Sequence, residues 1–319
     1  MKRYILTVGP SLLHRVALPV IHKPSHIYRI NGAHGSIADI EGYIQKIREQ
    51  VPGADILMDL PGNKIRTKGT HISIQEGKKF AIPCAGFNYP EFYQLLKPGM
   101  TVWANDSTFE FEVRSVSEKE IVFFSKSTGT LTDNKGVHVR NIHGDLPFLF
   151  EKDRELIGLA NKHKIAFVGL SFVRDRDDIE AARKLVELSA IISKVETLAA
   201  VKNLNGILEA VEYILVDRGD LSTEIGIENV PHYQQYIMEK ARYFDRKIFL
   251  ATQILKNMET KPIPTIAEIN DLYTISKQGV YGIQLSEETA IGEYIEECVE
   301  ILERMEKTII REDILPVNP

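Results

Sequence analysis

The sequence predicts an α/β fold: a closed (β/α)₈ barrel of the TIM type, with a small all-β domain inserted after the third strand. Three observations support this prediction: eight short apolar runs, helix-compatible segments between most of them, and one long interval with a different pattern. Runs that are apolar on both faces are typical of buried parallel strands, and their alternation with helices is typical of βαβ units. Eight such strands fit a closed barrel better than an open sheet.

The predicted strands are rich in β-branched residues, and the predicted helices have apolar residues at helical spacing. The strands lie at residues 4–8, 27–30, 56–60, 166–170, 191–195, 213–216, 248–251 and 282–285. The helices lie at residues 37–50, 151–161, 177–188, 198–209, 232–244, 265–278 and 294–310. Several of these helices begin with a residue that can cap the first turn or with a proline close to it.

The interval between the third and fourth strands lacks the alternation of strands and helices. It contains short strand-like pieces separated by turn signals, at residues 72–74, 109–116 and 121–125. Loops on one face of a barrel tolerate insertions, and an inserted domain can close over a site. We therefore predict a barrel domain over residues 1–66 and 140–319, and a small β-barrel lid domain over residues 67–139.

Composition excludes several classes of function. Apolar residues make up 44% and charged residues 26% of the 319 residues, as in ordinary globular proteins. The formal net charge of −5 disfavours a nucleic-acid partner. Cys84 and Cys298 are too few for a disulfide framework or a zinc site. The N-terminal apolar run stops at Gly9 and Pro10, and no run is long enough to span a membrane, so we expect a cytoplasmic protein without a membrane partner.

Polar residues follow nearly every predicted strand. They are Thr7, Arg29, Asn31, Asp59, Ser171, Lys194, Glu196, Arg218, Asp220, Thr252, Ser286 and Glu288. In a (β/α)₈ barrel these strand ends converge on one mouth, where catalytic groups lie. Loops also begin at strand ends, and this alone can explain a polar residue at any single strand end. Acids, cations and hydroxyls around the whole rim are better explained by a functional site.

One part of this rim predicts a metal site. Lys194 and Glu196 lie two residues apart and so share a face of their strand, and Asp220 adds a carboxylate after the next strand. Two carboxylates suit Mg²⁺ or Mn²⁺ better than zinc. Gly219 permits close backbone approach before a short helix, whose N–H groups could hold an anionic carboxylate or phosphate. The alternative for Lys194 and Glu196 is a surface ion pair, which is costly inside a strand.

Ten segments, in order, resemble motifs of the pyruvate kinase family. They are residues 7–10 (TVGP), 29–35 (RINGAHG), 59–67 (DLPGNKIRT), 135–137 (KGV), 171–174 (SFVR), 193–196 (SKVE), 218–221 (RGDL), 251–255 (ATQIL), 261–268 (KPIPTIAE) and 285–290 (LSEETA). The resemblance spans about residues 3–310. It implies a barrel with a β domain inserted after the third strand, and Mg²⁺-dependent phosphoryl transfer between phosphoenolpyruvate and ADP.

The resemblance implies a role for each matching residue. Catalytic roles fall to Lys194, Thr252, Arg29 and Arg66, and metal binding falls to Glu196 and Asp220. Substrate binding falls to Gly219, Asp220, Thr252, Ser171 and Lys194, and nucleotide binding falls to Pro10, Arg29, Asn31, His34 and Lys135. Lys194 would stabilise charge on the phosphoryl group in flight. Thr252 lies where the family handles, through water, the proton that goes to the enolate carbon.

The monovalent-cation site of the family is altered in this sequence. Its Asn and Asp match Asn31 and Asp59, but its Ser position is Ala33 and its Thr position is Leu60. The family uses the carbonyl of that Thr, so one side-chain ligand is lost, at Ala33. Lys64 stands where potassium-dependent members have Glu, and its ammonium can supply the missing positive charge. We therefore expect a site that does not require K⁺. The alternative for Lys64 is a solvated loop lysine.

Three further departures add or remove charge near the barrel mouth. Asp217 replaces a small residue before Arg-Gly-Asp, Glu287 replaces the Gly of a Ser-Gly-Glu-Thr motif, and Ile266 replaces an Arg. The positions at which specificity could change are Asp217, Ser286, Glu287 and Glu288. Clustered acids could bind a second metal, raise a carboxyl pKa or repel an anionic substrate. Alternatively, they could pair with Arg218 or another cation and have no chemical role.

The resemblance leaves three functions open. The sequence ends at Pro319, soon after the last predicted helix, which implies a protein without the family's C-terminal domain and its allostery; a homodimer through the barrel could remain. The chain could be a kinase of this type acting on phosphoenolpyruvate or pyruvate and ADP or ATP. It could instead use enolpyruvate chemistry with another acceptor or as a lyase, or it could be a non-catalytic homologue. Retention of Lys194, Glu196, Asp220 and Thr252 favours the first.

Overall fold

The chain forms two compact units. The computed structural model describes residues 2–105, 108–140, 142 and 146–312. One unit comprises Met1–Gly62 and Leu149–Pro319, and the other comprises Asn63–Phe148. The limits predicted for the inserted domain, residues 67–139, lie inside the second unit.

The strands confirm the eight predicted for the barrel, and no end differs by more than one residue from the prediction. In chain order they are β1 (Arg3–Thr7), β2 (His26–Asn31), β3 (Asp55–Asp59), β4 (Ile65–Arg66), β5 (Ile72–Ile74), β6 (Lys79–Pro83), β7 (Thr101–Ala104), β8 (Phe109–Val116), β9 (Glu120–Ser125), β10 (Gly129–Leu131), β11 (Gly136–His138), β12 (Phe167–Leu170), β13 (Ala190–Val195), β14 (Tyr213–Asp217), β15 (Lys247–Ala251) and β16 (Gly282–Leu285). The barrel closes in the order β1-β16-β15-β14-β13-β12-β3-β2, with every pair parallel. The predicted fold class is therefore confirmed.

The helices follow the predicted alternation with the strands. They are α1 (Pro10–Arg15), α2 (Leu18–Ile21), α3 (Ile37–Gln50), α4 (Glu151–Lys162), α5 (Arg176–Arg183), α6 (Leu198–Lys202), α7 (Leu204–Ala210), α8 (Arg218–Ile225), α9 (Val230–Tyr243), α10 (Ile266–Lys277), α11 (Glu287–Ala290) and α12 (Ile295–Glu312). Short 3₁₀ helices lie at Cys84–Gly86, Pro90–Leu95, Ile227–Asn229 and Lys256–Glu259. Across the part of the chain that the structure describes, every helix is too short or too polar to cross a bilayer.

Two predicted helices are shorter than expected, and tertiary hydrogen bonds explain the difference. The helix predicted over 177–188 ends at Arg183, because the Asn161 side chain of α4 donates to the Leu185 carbonyl and accepts from the Glu187 N–H. If the helix continued, these backbone groups would be needed for the hydrogen bonds within the helix. The helix predicted over 198–209 is divided into α6 and α7 at Asn203, whose side chain donates to the Arg174 carbonyl.

The apolar core of the first unit lies inside the barrel. Its buried side chains come from β1, β2, β3, β12, β13, β14 and β15: Ile5, Ile27, Leu57, Phe167, Ile192, Leu215, Phe249 and Ala251. On β16, Gly282 leaves room for Phe249, whose ring would lie 2.5 Å from a Cβ at that position. The centre of the barrel is therefore a packed interior.

The second unit is all-β, as the predicted insertion requires. Six antiparallel strands form one sheet in the order β4-β11-β7-β8-β9-β6, and β5 pairs with β10 in a separate two-stranded sheet. Phe80, Phe111 and Phe123 pack together on the large sheet, with ring centroids 4.9–5.8 Å apart. The edge strands β4 and β6 do not pair with each other in the described residues. The unit therefore contains an open sheet where a small closed β-barrel was expected.

Candidate active site

Five polar side chains lie one layer nearer the barrel mouth than the apolar core. Each follows a core residue by two positions in its strand, so strand alternation points both side chains to the same face. The pairs are Ile5 and Thr7, Ile27 and Arg29, Leu57 and Asp59, Ile192 and Lys194, and Leu215 and Asp217. The barrel therefore brings together residues that are far apart in the sequence.

Lys194 is the centre of this layer. Its ammonium lies 2.9 Å from Glu196 Oε2 and 3.3 Å from Asp217 Oδ2, and it donates a hydrogen bond to Ser171 Oγ at 3.2 Å. The residue is 5% exposed, so the alternative of a surface ion pair is wrong. Lys194, Glu196 and Ser171, each a predicted site residue, thus lie together.

Four carboxylates determine the charge state of Lys194. Burial disfavours the charged form of the lysine, but the neighbouring negative charges raise its pKa well above the ordinary value. These charges belong to Asp59, Glu196, Asp217 and Asp220. The side chain is therefore a permanent cation at neutral pH.

Glu196 is completely buried where the chain leaves β13. Its Oε1 accepts a hydrogen bond from the Phe172 N–H at 2.7 Å. Burial raises the pKa of Glu196 and the Lys194 charge opposes that rise, while Asp217 and Asp220 add to it. Phe172 has a left-handed backbone with φ of +56°, and no local sequence pattern indicates this contact.

Asp217 is the acid that replaces a small residue of the family pattern. Its Oδ1 accepts hydrogen bonds from Thr252 Oγ1 at 2.7 Å and from the Gly219 N–H at 3.2 Å. Its Oδ2 is the oxygen that faces Lys194. A Cβ on Gly219 would lie 3.0 Å from Thr252 Cγ2, so a larger residue would displace the Thr252 side chain by a few tenths of an ångström.

Arg218 does not pair with Asp217, although the sequence left that pairing open. Its guanidinium forms a 2.7 Å ion pair with Asp271 and donates to the backbone carbonyls of Thr252 and Gln253. Both of those residues have positive φ, at +76° and +56°, a conformation that costs side-chain-bearing residues energy. Arg218 therefore positions the Thr252 loop, a role that the sequence did not predict.

Three carboxylates form a group that fits a divalent cation. One oxygen each from Glu196, Asp217 and Asp220 lies within 4.8 Å of the other two. Two oxygens bound to one Mg²⁺ are at most about 4.2 Å apart, so shifts of a few tenths of an ångström would suffice. The two predicted metal ligands, Glu196 and Asp220, are therefore together, with Asp217 as a third acid.

Arg29 and Asp59 form a second buried ion pair in the same layer. The guanidinium contacts Asp59 Oδ2 at 2.7 Å and donates to Thr7 Oγ1 at 2.9 Å. Asp59 Oδ1 accepts no hydrogen bond within the described part of the chain. Asn31, the last residue of β2, accepts from the Ala33 N–H and holds the following turn. The pair thus continues the polar layer across β1, β2 and β3.

The remaining predicted nucleotide residues of the first unit are on the surface. Pro10 is exposed at the first position of α1, and His34 is exposed in the turn after β2. Gly9 is buried beside Pro10, and a Cβ there would lie 2.4 Å from a backbone oxygen of α11. The geometry does not bring Pro10 or His34 into the buried layer around Lys194.

Lys64, Arg66 and Lys135 belong to the second unit. Arg66 lies in β4 and donates to the Asn134 carbonyl at 3.3 Å. A Cβ at Gly136 would lie 2.8 Å from Lys64 Cε, so the lysine stem crosses this glycine closely. Lys64 and Lys135 are both half-buried. The stem of Lys64 therefore packs against the backbone of Gly136.

The acids after β16 form a separate group. Glu288 is 1% exposed, and its carboxylate accepts from the Leu255 N–H at 3.3 Å and the Ser286 N–H at 2.7 Å. Burial raises the pKa of Glu288. Glu287 is exposed and approaches Glu288 and Glu259 rather than the carboxylates around Lys194. Glu288 thus joins the loops after β15 and β16.

The other departures from the family pattern are apolar. Ala33 and Leu60, at the two altered monovalent-cation positions, are buried. Ile266, the first residue of α10, is 81% exposed. The two buried positions offer no side-chain oxygen for a monovalent cation.

Comparisons with known proteins agree with this geometry. The family model described as "Pyruvate kinase, barrel domain" matches residues 2–299. A pyruvate kinase of Clostridium perfringens is 31% identical over 96% of this chain and 69% of its own length. Pyruvate kinases of Thermotoga maritima and Clostridium acetobutylicum are 31% and 32% identical, over 96% and 93% of this chain and 70% and 68% of their own lengths. The chain therefore belongs to the pyruvate kinase family.

Proposed function

We propose that this chain catalyses Mg²⁺-dependent phosphoryl transfer between phosphoenolpyruvate and ADP. The observation that carries the proposal is the grouping of Lys194, Glu196 and Asp220 at the ends of adjacent barrel strands. Phosphoryl transfer is catalysed mainly by positioning and by positive charge near the group in flight. A buried, permanently charged lysine beside carboxylates that can bind a metal meets both requirements.

Glu196 and Asp220 would hold the divalent cation, Mg²⁺ or Mn²⁺. When bound, the cation neutralises charge on the phosphoryl oxygens and on the substrate carboxylate. Lys194 would place its ammonium on the same phosphoryl group, oriented by its hydrogen bond to Ser171. The N–H groups of Gly219 and Asp220, in the first turn of α8, would receive the substrate carboxylate.

Thr252 would hold the proton that passes to the enolate carbon through water. Its hydroxyl lies beside the carboxylate group and is fixed by Asp217 and by the Arg218 contacts to its carbonyl. Arg29 and Arg66 would bind phosphate oxygens, since guanidinium groups match phosphate geometry. These roles rest on the motif matches together with the position of Thr252.

For the nucleotide, we propose Pro10, Arg29, Asn31, His34 and Lys135 as binding residues, on the motif matches alone.

We also propose that activity does not require K⁺. Supporting this, Ala33 supplies no side-chain oxygen, and the sequence supplies a lysine at position 64. Addition of K⁺ should leave the rate unchanged, and a rate that is negligible without K⁺ would contradict this part.

The experiment is an assay of pyruvate formation from phosphoenolpyruvate and ADP, coupled to lactate dehydrogenase, with Mg²⁺. We expect turnover in the wild-type protein and its abolition by Lys194→Met, because methionine keeps the aliphatic stem and removes the charge. Lys162→Met is the matched control, since Lys162 is an exposed lysine paired with Glu41 on the barrel surface. Unchanged turnover in Lys194→Met would refute the mechanism. A melting shift with phosphoenolpyruvate and Mg²⁺, without turnover, would refute this reaction and favour another chemistry.

We further propose that residues 1–66 with 140–319 and residues 67–139 act as the two domains, and that the protein is cytoplasmic. A homodimer through the barrel is also proposed. Large apolar side chains are exposed on the first unit, among them Ile227, Tyr243 and Ile266. Sedimentation equilibrium tests the dimer, and a monomer at all concentrations would contradict it.

A further inference from the structure

We infer that Asp217 is a third carboxylate ligand of the divalent cation, so that the protein binds this metal before any substrate is present. The inference rests on the proposed function and deepens it at the same site. It concerns a residue that the sequence marked as a departure from the family pattern.

Strand alternation gives Asp217 its direction. Leu215, two residues earlier in β14, lies in the apolar core of the barrel, so the side chain of Asp217 points inward as well. An acid pointing into a barrel needs a partner, because burying a carboxylate is costly. Asp217 is half-buried, and its cationic contact is Lys194, which Glu196 also contacts.

The two oxygens of Asp217 are in different environments. Oδ1 accepts from the Thr252 hydroxyl and the Gly219 N–H, which fixes the carboxylate plane. Oδ2 is left on the side of Lys194 and the other acids. Metal-binding carboxylates are commonly held by such hydrogen bonds, which orient the ligand and tune the metal.

Glu196 has an oxygen that can contact a cation in addition to Lys194. It is completely buried, and its Oε2 contacts the Lys194 ammonium at 2.9 Å. Buried carboxylate oxygens are normally saturated by donors or by a metal. The second oxygen, Oε1, is satisfied by a backbone N–H. A carboxylate oxygen has two lone pairs, so Oε2 can contact a cation while it keeps the ion pair with Lys194.

The charges of these groups match one divalent ion. Three carboxylates and one ammonium together carry a formal charge of −2. One Mg²⁺ or Mn²⁺ neutralises this group without help from an anionic substrate. With only Glu196 and Asp220, the same group would have a formal charge of −1 and would favour the metal less. Asp217 therefore strengthens metal binding in the absence of phosphoenolpyruvate.

A purely structural role for Asp217 makes a different prediction. It would hold the N-terminus of α8 through the Gly219 N–H, orient Thr252 and pair with Lys194, without touching the metal. Asp217→Asn separates the two roles, because asparagine keeps a carbonyl acceptor for these donors and removes the charge. It is also a good residue at the start of a helix.

The experiment measures Mn²⁺ binding to the protein without phosphoenolpyruvate or nucleotide, by electron paramagnetic resonance of the free ion. We expect the wild-type protein to bind Mn²⁺ and Asp217→Asn to bind it at least about tenfold more weakly. Asp177→Asn is the matched control, since Asp177 is an exposed acid in the first turn of α5. It should leave the affinity unchanged.

Each outcome has a definite meaning. Equal affinities of wild type and Asp217→Asn would overturn this inference and leave the proposed reaction intact, because the coupled assay tests that reaction separately. No Mn²⁺ binding by the wild type, together with normal turnover, would also overturn it, since the metal would then need the substrate. Should Asp217→Asn fail to fold, as judged by circular dichroism, Asp217→Ser keeps an acceptor for the helix cap and gives the same test.

Discussion

Acidification should destabilise the protein through His26, the first residue of β2, and replacement of this histidine should remove the effect. His26 is 1% exposed, and its ring lies edge-on to Tyr4 and His22. Neither ring nitrogen has a hydrogen-bond partner in the described part of the chain. Burial is the main cause that lowers the pKa of His26 from 6.5 to about 4. The charges of His22, Lys23 and Arg3 also lower this pKa, and the charge of Glu303 raises it.

The direction of this pH effect on stability follows from the protonation of His26 in the unfolded chain. Above pH 6.5, His26 is neutral in both the folded and the unfolded state, so it does not lower the free energy of unfolding. As the pH falls from 6.5 towards 4, the unfolded chain binds a proton and the folded protein does not, so the free energy of unfolding decreases. At pH 5.0 the loss attributable to His26 is about 2 kcal/mol relative to pH 7.5.

The assay is urea unfolding followed by far-ultraviolet circular dichroism at pH 7.5 and 5.0, without divalent metal. His26→Phe keeps the aromatic contacts and removes the titration, so the loss on acidification should shrink by about 2 kcal/mol. At pH 7.5 the variant should be at least as stable as the wild type, because phenylalanine has no unsatisfied ring nitrogen. His14→Gln, at an exposed position of α1, should retain the wild-type loss. An undiminished loss in His26→Phe would refute this reasoning.

Two other substitutions test the packing around the mouth. Glu288→Gln presents an amide nitrogen to one of two N–H donors, from Leu255 or Ser286, and should lower the free energy of unfolding by about 1–3 kcal/mol in urea. An unchanged value would show that the carboxylate is not needed there. Gly9→Ala places a Cβ 2.4 Å from a backbone oxygen of α11 and should lower the melting temperature, at a cost of about 1–3 kcal/mol. Gly42→Ala in α3, with open space around the Cβ, should raise it instead.

The positions of the strands were predictable because each carries its own local signal. Apolar, β-branched runs gave all eight barrel strands to within one residue. The same two-residue period could also have given the inward direction of Lys194 and Asp217 from Ile192 and Leu215. The ends of α5 and the break between α6 and α7 were not predictable, because Asn161 and Asn203 bond to backbone groups distant in sequence.

The contacts that fix the carboxylates were also beyond the sequence. The Phe172 N–H reaches Glu196 only because the chain turns with positive φ after β12. Arg218 was visible as a polar residue at a strand end, but its bonds to two carbonyls after β15 depend on the neighbouring loop. The sequence marks Glu288 only as a position at which specificity could change; the hydrogen bonds of its carboxylate to the backbone of two loops are visible only in the structure.

The sequence by itself determined the eight-stranded barrel, the all-β insertion and the residue types at the strand ends, since periodicity and motif order are properties of the chain alone. The tertiary structure decided which carboxylates lie close to one another. Glu196, Asp217 and Asp220 converge because β13 and β14 are neighbours in a closed barrel, whereas Glu287 and Glu288 meet Glu259 elsewhere. The physical reason is that a carboxylate's partners are set by distances of a few ångströms between elements, which no local pattern encodes.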